Sequence, residues 1–151
     1  MRKRASVVLF MMIAVSLTLA LAVAATDAGP AAGTWKKGSA AGVEWAQIVA
    51  LTNGFRLVLN TVDPNGNPIH AEFTGKYDGK DYPVTGLPNA DTVSLVKIDA
   101  QTLDCLYKKG GKTVRTERVV LSKDGKRATV FKKGSDQTGL DATVVSVWDK
   151  Q

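Results

Sequence analysis

The stretch NGFRLVLNTVDPNGNPIHAEFTGKYDG, residues 53–79, shows most clearly how strands and turns alternate in this chain. Large apolar residues occupy every second position from Phe55 to Leu59, and apolar residues do so again from Ile69 to Phe73, as in strands with one buried face. The pentapeptide DPNGN between them is a turn sequence, and the flanking NG and DG pairs supply the positive φ angles of tight hairpin turns. The stretch therefore predicts antiparallel strands joined by hairpins.

Turn sequences of the same kind recur throughout residues 33–151. They lie roughly 10–14 residues apart, the spacing of an all-β barrel or sandwich. The segments between them are rich in β-branched residues and alternate with a period of two, and beyond the N-terminal segment none has a convincing helical period. The candidate strands are 33–37, 43–51, 55–62, 68–76, 80–85, 92–98, 102–109, 112–121, 126–133 and 142–149.

These strands come with no helix that could cover an exposed sheet edge. Closure of the sheet into a barrel removes its edges. We therefore predict an all-β fold in one domain, 33–151, built as an antiparallel up-and-down β-barrel of about eight to ten strands. A β-sandwich is the alternative.

The first 25 residues have the features of an export signal. Basic residues at 2–4 precede an uncharged, mostly apolar run of 19 residues, 7–25. The run ends in small residues at 22–24, which match the A-x-A cleavage pattern. We predict a signal peptide, 1–25, that forms a helix and is removed, and a flexible joint, 26–32. The protein would then be periplasmic or secreted, without a membrane anchor; an uncleaved anchor is the alternative.

The charge of the chain does not point to a nucleic-acid partner. Three of the basic residues lie in the predicted signal peptide, so cleavage would halve the net charge of +6. A modest excess of this kind favours solubility and weak attraction to anionic surfaces. The pairs Lys36-Lys37, Lys108-Lys109 and Lys132-Lys133 lie at strand ends or beside turns without the interleaved aromatic platforms of single-strand binding sites.

One tripeptide at the start of the first candidate strand connects the chain with a known family. Gly33-Thr34-Trp35 matches the G-x-W signature of lipocalins, and the chain resembles a small bacterial lipocalin-like (calycin-type) barrel. The segments 78–86 and 118–126 also resemble uncharacterised exported bacterial proteins. The resemblance implies a barrel fold but does not imply any particular activity.

Residues for catalysis or metal binding are scarce. His70 is the only histidine and lies on a polar alternation, so we expect a surface or structural role for it. The lone Cys105 alternates with apolar residues and is expected to be a small buried hydrophobe. Asp63, Asn65 and Asn67 have the spacing that opens a calcium loop, but the glycine and glutamate that should follow are misplaced, which favours a turn held by Asp63. We predict no enzymatic activity, no cofactor and no metal.

A ligand cavity is the more specific prediction, because small barrels either fill their interiors with side chains or enclose one small ligand. The alternation Val114-Thr116-Arg118-Val120 would place Arg118 on an apolar inner face, where it could meet an acidic head group. The alternative is that Arg118 points outward and pairs with a carboxylate. The other candidate lining residues, for which core packing is the alternative, are Trp45, Gln47, Phe55, Leu57, Phe73 and Tyr107.

These features favour an exported, non-enzymatic protein whose partner is a small lipophilic or amphipathic ligand. A cell-envelope structural or interaction module that acts through its outer surface is the alternative.

Overall fold

The computed structural model describes residues 31–39, 42–63, 65–135 and 141–151. They form a closed, all-antiparallel barrel in which each strand pairs with the next and the last pairs with the first. The strands are β1 (Gly33–Ser39), β2 (Gly42–Leu51), β3 (Gly54–Val62), β4 (Pro68–Lys76), β5 (Asp81–Thr85), β6 (Thr92–Lys97), β7 (Thr102–Lys109), β8 (Lys112–Leu121), β9 (Arg127–Ser135) and β10 (Asp141–Lys150).

The predicted up-and-down barrel is confirmed, and the sandwich alternative is wrong. Each candidate strand coincides with an observed one to within two residues at either end. The predicted signal peptide, 1–25, and most of the joint, 26–32, lie outside the described residues. Within the described ranges the structure has no helix of the length and apolar character that crossing a membrane requires.

The barrel closes where its first and last strands meet. Trp35 pairs with Lys150 and Lys36 with Asp149 across this seam, and the backbone N–H of Gln151 donates to the carbonyl of Thr34 at 2.9 Å. Just before β1, the carbonyl of Ala31 accepts a hydrogen bond from the indole N–H of Trp35 at 2.8 Å. The G-x-W tripeptide thus lies at the closure of the barrel, where its Trp is buried.

Antiparallel winding places the turns at two ends of the barrel. End I holds the turns at 52–53, 77–80, 98–101 and 122–126, and end II holds those at 63–67, 86–91 and 110–111. At end II the predicted turn around Asp63 is confirmed. Its carboxylate accepts hydrogen bonds from the backbone N–H groups of Asn65 and Asn67, both at 2.8 Å, and from the side chain of Asn67.

Two apolar clusters occupy opposite sides of the interior. One contains Val84, Val93 and Leu95 from β5 and β6, packed with the aromatic rings of Phe55, Phe73 and Tyr107. The other contains Trp35, Ala46, Leu121, Ala128, Val130 and Trp148, from strands on either side of the seam. In the first cluster Val93 and Leu95 have no exposed surface, whereas every residue of the second cluster keeps 2–8% of its exposure. The barrel is therefore packed more fully on the side of β5 and β6.

Candidate functional site: the barrel cavity

The interior holds a cavity of about 490 Å³ that is partly open to solvent and borders both clusters. Its wall comes mainly from β1–β3 and β7–β10, while Val93 and Leu95 on the opposite side are fully buried in packed core. Ala46 on β2 and Ala128 on β9 border the cavity with side chains of one carbon each. A volume of this size lies in the range of small-molecule pockets, about 300–1,000 Å³.

Most of the wall is apolar and comes from the inward positions of the alternating strands. Ile48 and Leu57 pack against both apolar clusters and line the cavity between them. The rings of Phe55 and Phe73 meet edge to face with centroids 5.4 Å apart, which fixes the wall on the β3–β4 side. Trp35 and Trp148 line the side at the seam. The cavity can therefore hold an apolar body.

Six polar side chains, five of them charged, line the cavity from the strands near end II, and we call this set the polar arc: Lys37, Glu44, Thr61, Arg115, Glu117 and Lys132. All six lie near the strand ends that approach end II. Nζ of Lys37 lies 2.8 Å from the carboxylate of Glu44, which also accepts a hydrogen bond from the hydroxyl of Thr61. The cavity thus combines apolar walls with a cluster of charged groups near end II, as a site for an amphipathic molecule requires.

The second half of the polar arc centres on Glu117. Its Oε1 lies 3.0 Å from Nε of Arg115 and 3.8 Å from Nζ of Lys132. The guanidinium of Arg115 stacks on the ring of Tyr107, 4.0 Å from the ring centroid. These contacts hold Arg115 against the wall of the barrel.

Burial and charge act on the titratable groups that line the cavity. Burial raises the pKa of Glu44, but the hydrogen bonds from Lys37 and Thr61 and the charges of Lys37 and Lys132 outweigh it, so the pKa lies below its ordinary value. Burial, followed by the negative charge of Glu117, raises the pKa values of Cys105 and Tyr107 well above their ordinary values. At neutral pH the thiol and the phenol are therefore uncharged parts of the wall.

The structure brings together four of the residues proposed as lining. Phe55, Leu57, Phe73 and Tyr107 all border the cavity. Trp45 and Gln47 do not, because on β2 the inward positions are Glu44, Ala46 and Ile48. These two side chains lie on the exposed outer face and are not part of the candidate site.

Arg118 does not line the cavity either, because the inward positions of β8 are shifted by one residue from the predicted ones. It is exposed on the outer face, where its guanidinium makes two 2.7 Å hydrogen bonds to the carboxylate of Asp104, as the alternative expected. The register of β7 and β8 shifts between Tyr107 and Lys108, so that Val114 packs on the core and Arg115, its neighbour, lines the cavity. A one-residue shift of this kind reverses the face of every following residue.

The lining residues predicted from the sequence include none of the polar arc. The alternation that placed Arg118 inside puts Arg115 and Glu117 on the outer face, where charged side chains normally lie. One signal was present on β9, where Ala128, Val130, Lys132 and Gly134 alternate with bulkier or polar residues. That pattern would have assigned Lys132 to the inner face.

His70 and Cys105, the residues considered for catalysis, lie on opposite faces of the barrel wall. His70 is exposed on the outer face, with Nδ1 2.8 Å from Oδ1 of Asn60 on the neighbouring strand. Cys105 is buried, as expected. In the part of the chain that the structure describes, no three His, Cys, Asp or Glu side chains are grouped as metal ligands.

Comparison with known proteins adds no family. No protein-family model matches the chain, and no curated protein matches it in sequence.

Proposed function

We propose that this protein is a non-enzymatic binding protein that holds a small lipophilic or amphipathic molecule inside a lipocalin-like barrel. The proposal rests on the cavity of about 490 Å³, which has apolar walls and charged groups near end II. Fully packed small barrels have no such space. Phe55, Leu57, Phe73 and Tyr107 are proposed to contact the apolar part of the ligand.

Export is part of the proposal and rests on the N-terminal sequence. The basic residues at 2–4, the apolar run 7–25 and the small residues before its end fit a cleaved signal peptide of an exported bacterial protein. The ligand would then be met in the periplasm or outside the cell.

The proposal is tested by filling the cavity from one side of β2. Ala46 is buried and borders the cavity, whereas the next residue, Gln47, is exposed on the outer face. In Ala46→Phe the added ring occupies ligand space; Gln47→Phe adds the same ring outside the barrel and is the matched control. We expect a fluorescent apolar probe to bind the wild type and Gln47→Phe alike, and to bind Ala46→Phe about 10-fold or more weakly.

Two results of that titration would overturn the proposal. One is a wild-type barrel that takes up none of a panel of apolar probes. The other is equal probe binding by Ala46→Phe and Gln47→Phe, with both variants shown to be folded by circular dichroism, since the probe would then be bound outside the cavity.

A second candidate function is an envelope interaction module that acts through the outer wall. It is favoured by an apolar patch of three neighbouring side chains on β9 and β10. These are Phe131, Val145 and Val147, which are 45%, 56% and 45% exposed to solvent. An exposed apolar patch on a folded surface is a common mark of an interaction site. Association with envelope material that is lost in Phe131→Ser and kept in Ala46→Phe would support this function over ligand binding.

A further inference from the structure

Asp63 also lines the cavity at end II, but its carboxylate is hydrogen-bonded within its own turn. The polar arc itself holds three cations and two carboxylates. Its cations are Lys37, Arg115 and Lys132, and its carboxylates are Glu44 and Glu117. Each carboxylate has one cation within 3.0 Å, Lys37 in the case of Glu44 and Arg115 in the case of Glu117. Within the part of the chain that the structure describes, the third cation of the arc therefore has no carboxylate to itself.

That cation is Lys132. Its Nζ lies 3.8 Å from Glu117, a carboxylate that Arg115 contacts more closely at 3.0 Å. The other two cations have additional partners, since Lys37 lies 5.6 Å from the ring centroid of Trp148 and Arg115 lies 4.0 Å from that of Tyr107. The side chain of Lys132 lines the cavity and retains 34% of its exposure, so its ammonium group is accessible to a ligand.

We infer that Lys132 receives the negatively charged head group of an amphipathic ligand whose apolar tail extends from end II into the barrel. This inference rests on the proposed function and adds the charge class and orientation of the ligand. Val130 and Ala128 follow Lys132 along the inner face of β9 toward end I, and they provide an apolar path for the tail. A charge-assisted hydrogen bond between the ammonium group and the head group supplies the missing counter-charge.

End I offers a cation to the cavity as well, but in a different setting. Lys97 lines the cavity there, is exposed, and lies 5.8 Å from the ring centroid of Tyr77. The nearby carboxylate of Asp99 accepts hydrogen bonds from the backbone N–H groups of Gln101 and Thr102, both at 2.7 Å. Solvent weakens the attraction of a cation for an anion, and Lys97 is more exposed than the partly buried Lys132. End II is therefore the end that favours the head group.

The experiment compares three ligands with one tail and different heads: dodecanoate, dodecanol and dodecylammonium, titrated calorimetrically into the barrel. We expect dodecanoate to bind about 10-fold or more tightly than dodecanol, and dodecylammonium to bind most weakly. In Lys132→Gln the preference for dodecanoate should disappear while dodecanol binding stays the same. Lys133→Gln changes the adjacent, exposed lysine, Lys97→Gln changes the lysine at end I, and both should keep the preference.

A further variant separates charge from shape at the same position. Lys132→Arg keeps the positive charge and should keep the preference for dodecanoate. Equal binding of dodecanoate and dodecanol by the wild type would overturn the inference and leave the proposed function intact, whereas binding of none of the three would overturn both. A preference lost in Lys97→Gln and kept in Lys132→Gln would overturn the orientation. Weakened dodecanol binding by folded Lys132→Gln would overturn the head-group role of Lys132.

Discussion

Lys37 and Glu44 face each other from neighbouring strands on the inner wall of the barrel, with Nζ 2.8 Å from Oε1. Thr61, on the third strand, donates to the other carboxylate oxygen. The contacts tie β1, β2 and β3 together at end II, where the cavity carries its charged groups. They also keep a partly buried carboxylate ionised at neutral pH, because the pKa of Glu44 lies below its ordinary value of 4.5.

The first prediction concerns Glu44 and acid. Because its pKa is lowered in the folded protein, its ionised form stabilises the fold above the ordinary pKa of 4.5, and that contribution is lost as the pH falls through the lower folded value. Glu44→Gln should reduce the free energy of unfolding at pH 7 by about 1–3 kcal/mol. The difference from wild type should shrink at about pH 3. Urea titrations at the two pH values measure both quantities.

A matched control for Glu44 lies on the outer wall. Glu72 pairs with Arg56 at 2.8 Å, but both side chains are well exposed. Glu72→Gln should change stability less than Glu44→Gln, since water screens the outer pair. An equal loss in both variants would show that the inner contacts of Glu44 contribute no more than a surface ion pair.

The second prediction concerns Cys105, the only thiol in the chain. Burial raises the pKa of the thiol, and the negative charges of Glu117 and Asp104 act in the same direction. Since the thiolate is the reactive form, a disulfide reagent at pH 8 should modify the native protein at least about 100-fold more slowly than the urea-unfolded chain. Equal rates in the two states, followed by absorbance of the released thiol, would place Cys105 in contact with solvent.

The third prediction concerns Gly134 on β9. Its φ is +121°, and a Cβ there would collide with the backbone of Val114 and Arg115, where β8 changes register. Gly134→Ala should therefore lower the free energy of unfolding by about 1–3 kcal/mol or more. Gly38, on β1, has no heavy atom within 4 Å of the corresponding position and is the control.

Both glycine variants can be compared in urea titrations at neutral pH. Gly38→Ala should remain close to the wild type, because an added methyl group meets open space. If Gly134→Ala is as stable as Gly38→Ala, the close contact between β9 and the irregular part of β8 is absent from the protein in solution.

The strands could be predicted from the sequence because local signals agreed with the final fold. On β3 and β4 the inward positions carry Phe55, Leu57, Ala71 and Phe73, and turn residues fix both strand ends. Closure into a barrel was predicted from the lack of a helix to cover the sheet edges. These signals are local or compositional, so one chain was enough to find them.

The charged end of the cavity could not be predicted in the same way. On β8 both faces mix charged and β-branched residues, and the register shift beside Tyr107 reverses the alternation after Val114. Arg118 was therefore placed inside, whereas Arg115 is the arginine that lines the cavity. The contact between Lys132 and Glu117 joins β9 to β8, and a pairing across strands becomes visible only when the barrel is closed.

A methyl NMR titration with dodecanoate shows whether the interior of the barrel binds an amphipathic molecule. Methyl groups of Leu57, Val119 and Val130 line the cavity, while those of Val145 and Val147 lie on the exposed outer wall. We predict that ligand shifts the three inner sets of signals, saturates them together and leaves the outer sets unchanged. Shifts confined to Val145 and Val147, or no shifts at all, would contradict ligand binding inside the barrel.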